Sequence, residues 1–464
     1  MPLLPKHIHF IGISGIGMSG LAKIMKQQGH IVSGCDSAID EKHVKELKEL
    51  GCFISSHHLG PICHDSTIDT IVHTSSISKD HPELLRGSSL KINILHRAQL
   101  LAYLMEQKKS IAIAGSHGKT STTALVAHIL LQANLDPTVI IGGHSSSIKS
   151  NAYYGSGSYL VAETDESDRS FLIMPKNYAI TTNIDMEHLE TYHNFDDIKN
   201  TFLNFINSTP QDGINVICID NPGIQSISEH ISSSFITYGQ STQAEIQLKN
   251  IQLYQNHSSF DIYKKSNNTV IGHITMSQPG IHYAMNATGA IALALHLSIP
   301  FSIIQSALSS FQGVDRRFSF CGITKQEAHI FDDYGHHPLE IYHALLLARQ
   351  KTKNNVVVVF QPHRYTRTKF LWNDFIKIFA QSSIDTLIIT DIFAANELPI
   401  ENIDSKQLAQ AIKKESPHKT IIYLPYTPEM LDILATLEQT LKKDDLLLLL
   451  GAGKVNKLAT KLIT

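Results

Sequence analysis

Short apolar runs alternate with amphipathic stretches along the chain, and each such pair predicts a β-strand followed by a helix. Near the start, the pattern predicts a strand at 7–13, a helix at 17–28, a strand at 31–35 and a helix at 41–50. Further strands are predicted in "TIDTIVHTSS" and "INILH". Alternation of this kind is typical of a parallel sheet with helices on both faces. We therefore predict an α/β fold that opens with a Rossmann-like domain.

The same alternation returns in two further units. A second unit starts at the strand "SIAIAGSHG", and between residues 234 and 276 short alternating runs predict antiparallel strands at the edge of a mixed sheet. A third unit, which repeats the alternation of strands and helices, follows "FQGVDRRF". Because a chain of 464 residues is too long for a single core, we predict three domains, at 1–107, 108–312 and 313–464.

Composition narrows the classes of function. The formal net charge is −3, and no basic stripe indicates a nucleic-acid partner. The five cysteines contain no C-x-x-C pair, which disfavours both a disulfide framework and a zinc site with cysteine ligands. The start lacks the form of a secretory signal, and the longest apolar stretch, "ALVAHILLQANL", is too short to span a bilayer. We expect a cytoplasmic protein without membrane insertion.

The first predicted strand runs into a glycine-rich turn, "GISGIGMSG". Gly15, Gly17 and Gly20 form a G-x-G-x-x-G pattern, and Asp36 closes the next predicted strand. In dinucleotide-binding folds such glycines let the backbone approach a diphosphate, while the acid binds a ribose hydroxyl. The pattern alone is weak evidence, so an NAD-dependent oxidoreductase and a different diphosphate ligand both remain open.

A second glycine turn, "AGSHGKTSTT", lies between a predicted strand and a predicted helix. Backbone N–H groups in such a turn, aided by the helix N-terminus, bind phosphate oxygens. Lys119 is placed to reach the β- and γ-phosphates and Thr120 to hold Mg²⁺. Ile113 stands where the full phosphate-loop motif has its first glycine, so the motif is a shortened form. The turn predicts an ATP site.

Acidic residues and histidines follow the next predicted strands of the second unit. Glu163 ends the apolar strand "YLVAE". Like charges crowded in one loop need a cation or an arginine to balance them, so we predict a metal site at Glu163, with a solvated acidic loop as the alternative. We expect His188 to contact either a metal or a phosphate. The other members of these two loops are Asp165, Glu166, Asp168, Asp185, Glu187, Glu190 and His193.

Arginine and histidine groups mark the third unit. Arginine suits bidentate binding of phosphate or carboxylate, so three such groups predict a polyanionic substrate. Each group alone is also typical of surface ion pairs. The groups are Arg316 and Arg317; Asp332, Asp333, His336 and His337; and His363, Arg364 and Arg367.

Taken together, these motifs resemble the Mur ligase family. "GSHGKT", "AETDESD", "NIDMEH", "GIHYAMNA", "DRRF" and "DDYGHHP" occur in that family's order, and "GISGIGMSG", "HTSSI" and "FQPHRYTRT" are similar to its alanine-adding branch. The resemblance implies an N-terminal Rossmann-like domain that binds the UDP substrate, a central P-loop ATPase domain with a mixed sheet, and a C-terminal Rossmann-like ligase domain. It also implies a step of peptidoglycan precursor synthesis that uses ATP to join L-alanine to the lactyl carboxylate of UDP-N-acetylmuramate through an acyl phosphate.

The resemblance implies roles for individual residues as well. The implied catalytic residues are Lys119, Glu163, His188 and Arg317. The implied ligands of two Mg²⁺ ions, for which Mn²⁺ can substitute, are Thr120, Glu163 and His188. Implied nucleotide contacts are Gly115, Ser116, His117, Gly118, Lys119, Thr120, Ser121, Asn286, Arg317, Asp333 and His337. Implied substrate contacts are Gly15, Ile16, Gly17, Met18, Asp36, Ser75, Ser76, Arg97, His336, His363, Arg364 and Arg367.

Three alternative functions explain fewer of these motifs than the Mur ligase resemblance does. A dehydrogenase does not explain the turn at Lys119, and an ATPase acting on nucleic acid would need a basic surface. Within the family, a ligase that recycles murein tripeptide on the same UDP-sugar is the main alternative. Tyr283 stands where the family has an asparagine near the adenine, so the resemblance leaves the contact with the base open at this position. We expect a monomer or a weak dimer.

Overall fold

Three β-sheets follow one another along the chain, which confirms the predicted α/β class. The structure is a computed structural model, and it describes residues 6–39, 42–56, 58, 60–188 and 191–463. Residue 41, the first of one predicted helix, and Glu190 lie outside the described residues. No helix among the described residues is long and apolar enough to cross a membrane.

The first sheet has five parallel strands. They are β1 (His7–Ile11), β2 (Ile31–Cys35), β3 (Phe53–Ser55), β4 (Thr70–His73) and β5 (Asn93–His96), in the order β3-β2-β1-β4-β5. The helices are α1 (Ile16–Gln27), α2 (Lys42–Glu49), α3 (Pro82–Ser89) and α4 (Arg97–Glu106), with a 3₁₀ turn at Pro61–His64. Because β2 and β4 flank β1 on opposite sides, the carboxyl end of β1 is a topological switch point. The first glycine turn lies there.

The second sheet has ten strands and is mixed. They are β6 (Lys109–Ala114), β7 (Thr138–Ser145), β8 (Ser150–Tyr153), β9 (Tyr159–Glu163), β10 (Tyr178–Thr181), β11 (Ile214–Cys218), β12 (Phe235–Gly239), β13 (Ile246–Leu253), β14 (Ser258–Lys264) and β15 (Thr269–Met276). The order is β15-β14-β13-β12-β11-β10-β6-β9-β7-β8. The helices are α5 (Lys119–Gln132), α6 (Phe195–Asn207), α7 (Pro222–Ile227), α8 (Ile281–His296) and α9 (Phe301–Ser310), and 3₁₀ turns span Ser170–Ile173 and Ser228–His230.

The prediction for residues 234–276 was partly wrong. β14 and β15 form the expected antiparallel hairpin, but β12 pairs in parallel with β11, and β13 pairs in parallel with β12. Alternating hydrophobicity reports that one face of a strand is buried; it does not report the direction of the neighbouring strand. The parallel part of this sheet is therefore wider than the pattern predicted.

The third sheet has six strands. They are β16 (Ser319–Ile323), β17 (His329–Asp333), β18 (Val356–Phe360), β19 (Thr386–Ile389), β20 (Thr420–Tyr423) and β21 (Leu446–Leu450), in the order β16-β17-β21-β18-β19-β20. β16 is the antiparallel edge strand, and the other pairs are parallel. The helices are α10 (Pro338–Lys351), α11 (Tyr365–Phe370), α12 (Trp372–Gln381), α13 (Ser405–Glu415), α14 (Leu431–Thr440) and α15 (Leu458–Leu462), and a 3₁₀ turn spans Val455–Lys457.

The central strands are buried on both faces, which explains why they read as continuous apolar runs. All five residues of β21, "LLLLL", are buried, and so are the last five of β6. The chain divides into two compact units: residues up to Gln252 together with Ser258–Val314, and Leu253–His257 together with Asp315–Thr464. The first unit contains both the first sheet and most of the second. The predicted boundary between 107 and 108 stays a prediction.

Candidate active site

The second glycine turn joins β6 to α5, as the sequence predicted. Gly115 has φ +135° and Gly118, the N-cap of α5, has φ +80°, so both adopt a left-handed backbone that favours glycine. A Cβ added to Gly115 would lie 2.1 Å from Thr182 Oγ1. Both positions therefore favour glycine because of their backbone conformation. At Gly115 a side chain would also collide with Thr182, which follows the neighbouring strand β10.

The end of β10 holds this turn in shape. Thr182 Oγ1 and Asn183 Nδ2 donate to the carbonyl of His117 at 2.6 and 3.0 Å, and Asn183 Oδ1 accepts from the His117 N–H at 2.7 Å. Asn286 of α8 touches the turn from another side, because a Cβ on Gly118 would lie 2.8 Å from Asn286 Oδ1. Contacts from two other elements therefore fix the shape of the turn.

Lys119, the first residue of α5, folds back over the turn. Its Nζ donates to the carbonyls of Gly115 and Ser116 at 2.6 and 3.2 Å, and to Glu166 Oε1 at 2.7 Å. Burial lowers the pKa of Lys119, but the carboxylates of Glu166 and Glu163 more than offset this and raise the pKa above its ordinary value. The ammonium is therefore charged at neutral pH and lies at the rim of a glycine turn whose shape suits phosphate binding.

Carboxylates surround Lys119 at the carboxyl ends of the adjacent strands. Glu163 ends β9, and its Oε2 accepts from the Gly142 N–H at 2.9 Å. Glu166 is only 2% exposed, and His188 Nε2 lies 3.5 Å from Glu166 Oε1 and 3.7 Å from Glu187 Oε2. His188 is held in a left-handed conformation, with φ +55°. Parallel strands ending at one edge thus bring these side chains together.

One part of this cluster fits a divalent cation. The ligand atoms of Glu166, Glu187 and His188 lie within 4.8 Å of one another. Glu166 Oε2 is buried and has no hydrogen-bond partner among the described residues, and carboxylate oxygens are the donors that Mg²⁺ prefers. Glu166 and Glu187 were expected only as loop acids, outside the predicted metal set. Thr120, a member of that predicted set, is buried in the first turn of α5.

The first glycine turn joins β1 to α1. Strand β1 ends at Ile11, two residues before the predicted end, because Gly12 has φ +79° and already begins the turn. Asp36 braces this turn, since its Oδ2 accepts from the Ser14 N–H at 3.0 Å. Met18 is only 2% exposed and its side chain packs in the core, so only its backbone is available to a ligand.

Arg97 connects the first turn with the acidic loop after β9. A Cβ on Gly17 would lie 3.3 Å from Arg97 Nη1, and Arg97 Nη2 lies 2.5 Å from Asp165 Oδ2. Burial raises the pKa of Asp165, but Arg97 and the hydrogen bonds from Ser167 lower it to about 2. Ser75 donates to Asp168 Oδ2 at 2.5 Å. Asp165 thus pairs with the arginine beside the first turn, and Asp168 pairs with a serine of the loop after β4, whereas the sequence grouped both with the predicted metal acids.

In the second compact unit, predicted residues gather where β17 ends. Asp333 accepts from the N–H groups of Phe318 and Gly335 at 2.8 and 2.7 Å. Burial raises the pKa of Asp333 to about 7, although Arg317 acts to lower it. Arg317 also lies 3.6 Å from Glu340, which forms a capping box with His337 at the start of α10.

Two histidines of this unit, His336 and His363, are packed in a group and have a lowered pKa, which keeps them neutral. The rings of His336 and His363 lie 5.7 Å apart, and His363 stacks on Phe393. Burial, together with Arg367 and Arg364, lowers the pKa of His363 to about 3. Arg367 Nη1 donates to His363 Nδ1 at 3.0 Å. The structure therefore places His336, His363 and Arg367 in one group.

Three family models match the chain in order. They are described as "Mur ligase family, catalytic domain" at residues 7–109, "Mur ligase middle domain" at 113–294 and "Mur ligase, glutamate ligase domain" at 316–453. A protein of Desulforapulum autotrophicum named UDP-N-acetylmuramate–L-alanine ligase is 43% identical over 461 residues, covering 98% of each chain. The chain belongs to the Mur ligase family. Mur ligases depend on ATP, so the predicted use of this nucleotide is confirmed.

Solved structures agree with this membership. The UDP-N-acetylmuramate–alanine ligase of Thermotoga maritima is 27% identical with a TM-score of 0.80, covering 98% of each chain. A murein peptide ligase of Psychrobacter arcticus matches with a TM-score of 0.75 over 98% of each chain, but at 20% identity it speaks only for the fold. The three-domain Mur ligase architecture predicted from the motifs is confirmed.

Proposed function

We propose that this Mur ligase joins L-alanine to the lactyl carboxylate of UDP-N-acetylmuramate, converting ATP to ADP and phosphate. The observation that carries the choice of substrates is the match, over nearly the whole chain, to the Desulforapulum protein of that name. The tripeptide-recycling alternative is not favoured, because its counterpart shares the fold at only 20% identity.

The residues suit a reaction that needs positioning and charge neutralisation. A free carboxylate is a poor acylating agent, so transfer of the γ-phosphoryl group makes an acyl phosphate, and the alanine amine then displaces phosphate. This scheme needs no covalent enzyme nucleophile. Lys119 stabilises the transferring phosphoryl group from the rim of the turn, and the N–H groups between Gly115 and Ser121 bind the β-phosphate.

Metal binding falls to side chains at the carboxyl ends of β9 and β10. We assign Thr120, Glu163 and His188 from the family resemblance, and we add Glu166 and Glu187 because their oxygens lie beside His188. Bound Mg²⁺, or Mn²⁺ in its place, would neutralise charge on the phosphates and on the reacting carboxylate.

The first glycine turn is proposed to hold the UDP end of the substrate. The backbone from Gly15 to Met18 faces the diphosphate, with Asp36, Ser75, Ser76 and Arg97 around it. Besides Asn286, the side chains proposed to contact the nucleotide are Arg317, Asp333 and His337. Side chains proposed for the substrate carboxylate and the incoming amino acid are His336, His363, Arg364 and Arg367.

The domain boundaries, the oligomeric state and the cellular location are further parts of this proposal. We assign 1–107 to the UDP-substrate domain, 108–312 to the ATP domain and 313–464 to the C-terminal ligase domain. A cytoplasmic monomer or weak dimer is the expected form. Gel filtration with light scattering would test the oligomeric state.

Phosphate release tests the reaction. Purified protein should release phosphate from ATP only when UDP-N-acetylmuramate and L-alanine are both present, and mass spectrometry should find the UDP-N-acetylmuramoyl-L-alanine product. If tripeptide replaces L-alanine and supports release while L-alanine does not, the recycling reaction is the correct one. NADH binding that requires Gly15 and Gly17 would instead revive the dehydrogenase interpretation.

A further inference from the structure

A buried cluster of metal-ligating side chains lies within the first sheet and its covering elements. Its members come from four elements: His9 from β1, Cys35 from β2, Cys63 from the 3₁₀ turn and Glu83 from α3. All four are buried, and one ligand atom from each lies within 4.8 Å of the other three. The reaction proposed above uses none of them.

The separations within the cluster are close to those of a tetrahedral site. His9 Nε2 lies 3.1 Å from Glu83 Oε2, and Cys35 Sγ lies 3.2 Å from Glu83 Oε1. Around a zinc ion with ordinary bond lengths, neighbouring ligand atoms are ~3.3–3.8 Å apart. Shifts of a few tenths of an ångström at these contacts, and a somewhat larger closure at the widest pair, would complete such a site.

A chain of hydrogen bonds sets which nitrogen of His9 carries the proton. Thr67 Oγ1 donates its only proton to Asp65 Oδ1 at 2.8 Å, so it can only accept from His7. A neutral His7 therefore carries its proton on Nδ1 and donates it to Thr67 Oγ1 at 2.8 Å. His7 Nε2 then accepts from Ser33 Oγ at 2.8 Å. Ser33 Oγ in turn accepts from His9 Nδ1–H at 2.8 Å. Each hydroxyl in this chain donates once and accepts once.

The consequence lies at the other nitrogen of His9. In a neutral His9 with Nδ1 protonated, Nε2 directs its lone pair toward Glu83 Oε2, 3.1 Å away. A lone pair facing a carboxylate oxygen is repulsive unless a proton or a cation lies between them. Glu83 is 4% exposed and His9 is 1% exposed, so water does not screen the contact.

We propose that His9 Nε2, Cys35, Cys63 and Glu83 bind one zinc ion. Thiolate, imidazole and carboxylate ligands in a closed four-coordinate site are the set that structural zinc takes. The hydrogen bond from His9 Nδ1–H to Ser33 is the outer contact that orients a histidine ligand. The ion ties α3 and the 3₁₀ turn to β2 and to β1, the strand that leads into the first glycine turn.

Metal content and cobalt spectroscopy test the site. Protein made without a polyhistidine tag should contain about one zinc per chain, and replacement by Co²⁺ should give the thiolate charge-transfer band and the intense visible bands of a tetrahedral site. The cobalt measurement uses the unaltered chain, so it does not depend on a variant that folds. Removing the metal with a chelator should lower the melting temperature, and zinc should restore it.

Variants separate the site from the rest of the domain. Cys63→Ser should abolish stoichiometric zinc, while Cys52→Ser, which alters a buried cysteine of the same domain outside the cluster, should retain it. Ser33→Ala keeps all four ligands and should weaken zinc binding by about 10- to 100-fold. The proposal is wrong if the wild-type chain binds neither zinc nor Co²⁺, or if mass spectrometry finds Cys35 and Cys63 joined as a disulfide.

Discussion

The two glycine turns of the first compact unit look alike in sequence but differ in their surroundings. Each follows the strand at a switch point of a parallel sheet and leads into a helix, α1 or α5. Around the second turn stand Lys119, Glu166 and His188. Around the first stand Asp36, bonded to the backbone of the turn, and Arg97, paired with Asp165.

This difference separates binding from chemistry. Glycines in a strand-to-helix turn let backbone N–H groups approach a phosphate, and both turns have them. A reacting phosphoryl group also needs a buried ammonium and acids able to hold a cation, and among the described residues only the second turn has both. We therefore expect changes at the second turn to lower kcat and changes at the first to raise the KM for the UDP substrate.

Replacement of Lys119 by alanine should have the largest effect. The variant loses the only ammonium that the structure places at the rim of the second turn among its described residues. We expect kcat for phosphate release to fall on the order of 10³-fold. Stopped assays with saturating ATP, UDP-N-acetylmuramate and L-alanine would measure it. Lys109→Ala, an exposed lysine at the start of β6, is the matched control. Full ligation by Lys119→Ala would overturn the assignment.

Glu166→Gln should have the next largest effect. It removes the charge that pairs with Lys119 and replaces one carboxylate oxygen with an amide NH₂ in the group beside His188, so kcat should fall by about 10²-fold and more Mg²⁺ should be needed. Asp168→Asn alters an acid of the same loop whose partner is Ser75, and it should leave kcat nearly unchanged. Equal losses of kcat in the two variants would contradict the division of this loop between the two turns.

Arg97→Met tests the first turn. The guanidinium lies beside Gly17, where we propose the UDP diphosphate binds, and a charge-assisted contact contributes about 1.5–3 kcal/mol. The KM for UDP-N-acetylmuramate should therefore rise about 10- to 100-fold, while the KM for ATP stays constant. Initial-rate kinetics with each substrate varied in turn would measure both, and Arg97→Lys should recover part of the loss. A matching rise in the KM for ATP would show that the turns are not separate.

The sequence was sufficient for elements whose signal is local. Motifs a few residues long predicted both glycine turns, Lys119 and the acid Glu163. In the structure each of them lies at the predicted end of a strand or start of a helix. The order of these motifs along the chain was enough to indicate the family. What the pattern missed was pairing between strands: alternation did not show that β12 and β13 run parallel to their neighbours.

Partners distant in the chain could not be predicted. Asp165 and Asp168 sit among acids in the sequence, but their partners lie far away in the chain: Arg97 begins α4, and Ser75 lies in the loop after β4. The cluster at Cys35 was missed for the same reason. Its four ligands come from four elements and have no short C-x-x-C spacing, so cysteine spacing argued against the zinc site that the fold brings together.

Asp165→Asn should have the smallest effect, and its pH dependence reports on the link between the turns. The folded pKa of Asp165 is about 2, below the value of ~3.9 for an unfolded chain. The pairing with Arg97 therefore stabilises the fold above pH ~3.9, and the contribution is lost as the pH falls through the folded pKa.

Since the pair is partly exposed, wild type should exceed the Asp165→Asn variant by about 0.2–1 kcal/mol in unfolding free energy near neutral pH. Urea unfolding should give a constant difference from about pH 8 to pH 5 and a smaller one below about pH 4. A difference that already vanishes by about pH 6 would mean that Arg97 does not hold this carboxylate, and the first turn would then lack its tie to the acidic loop.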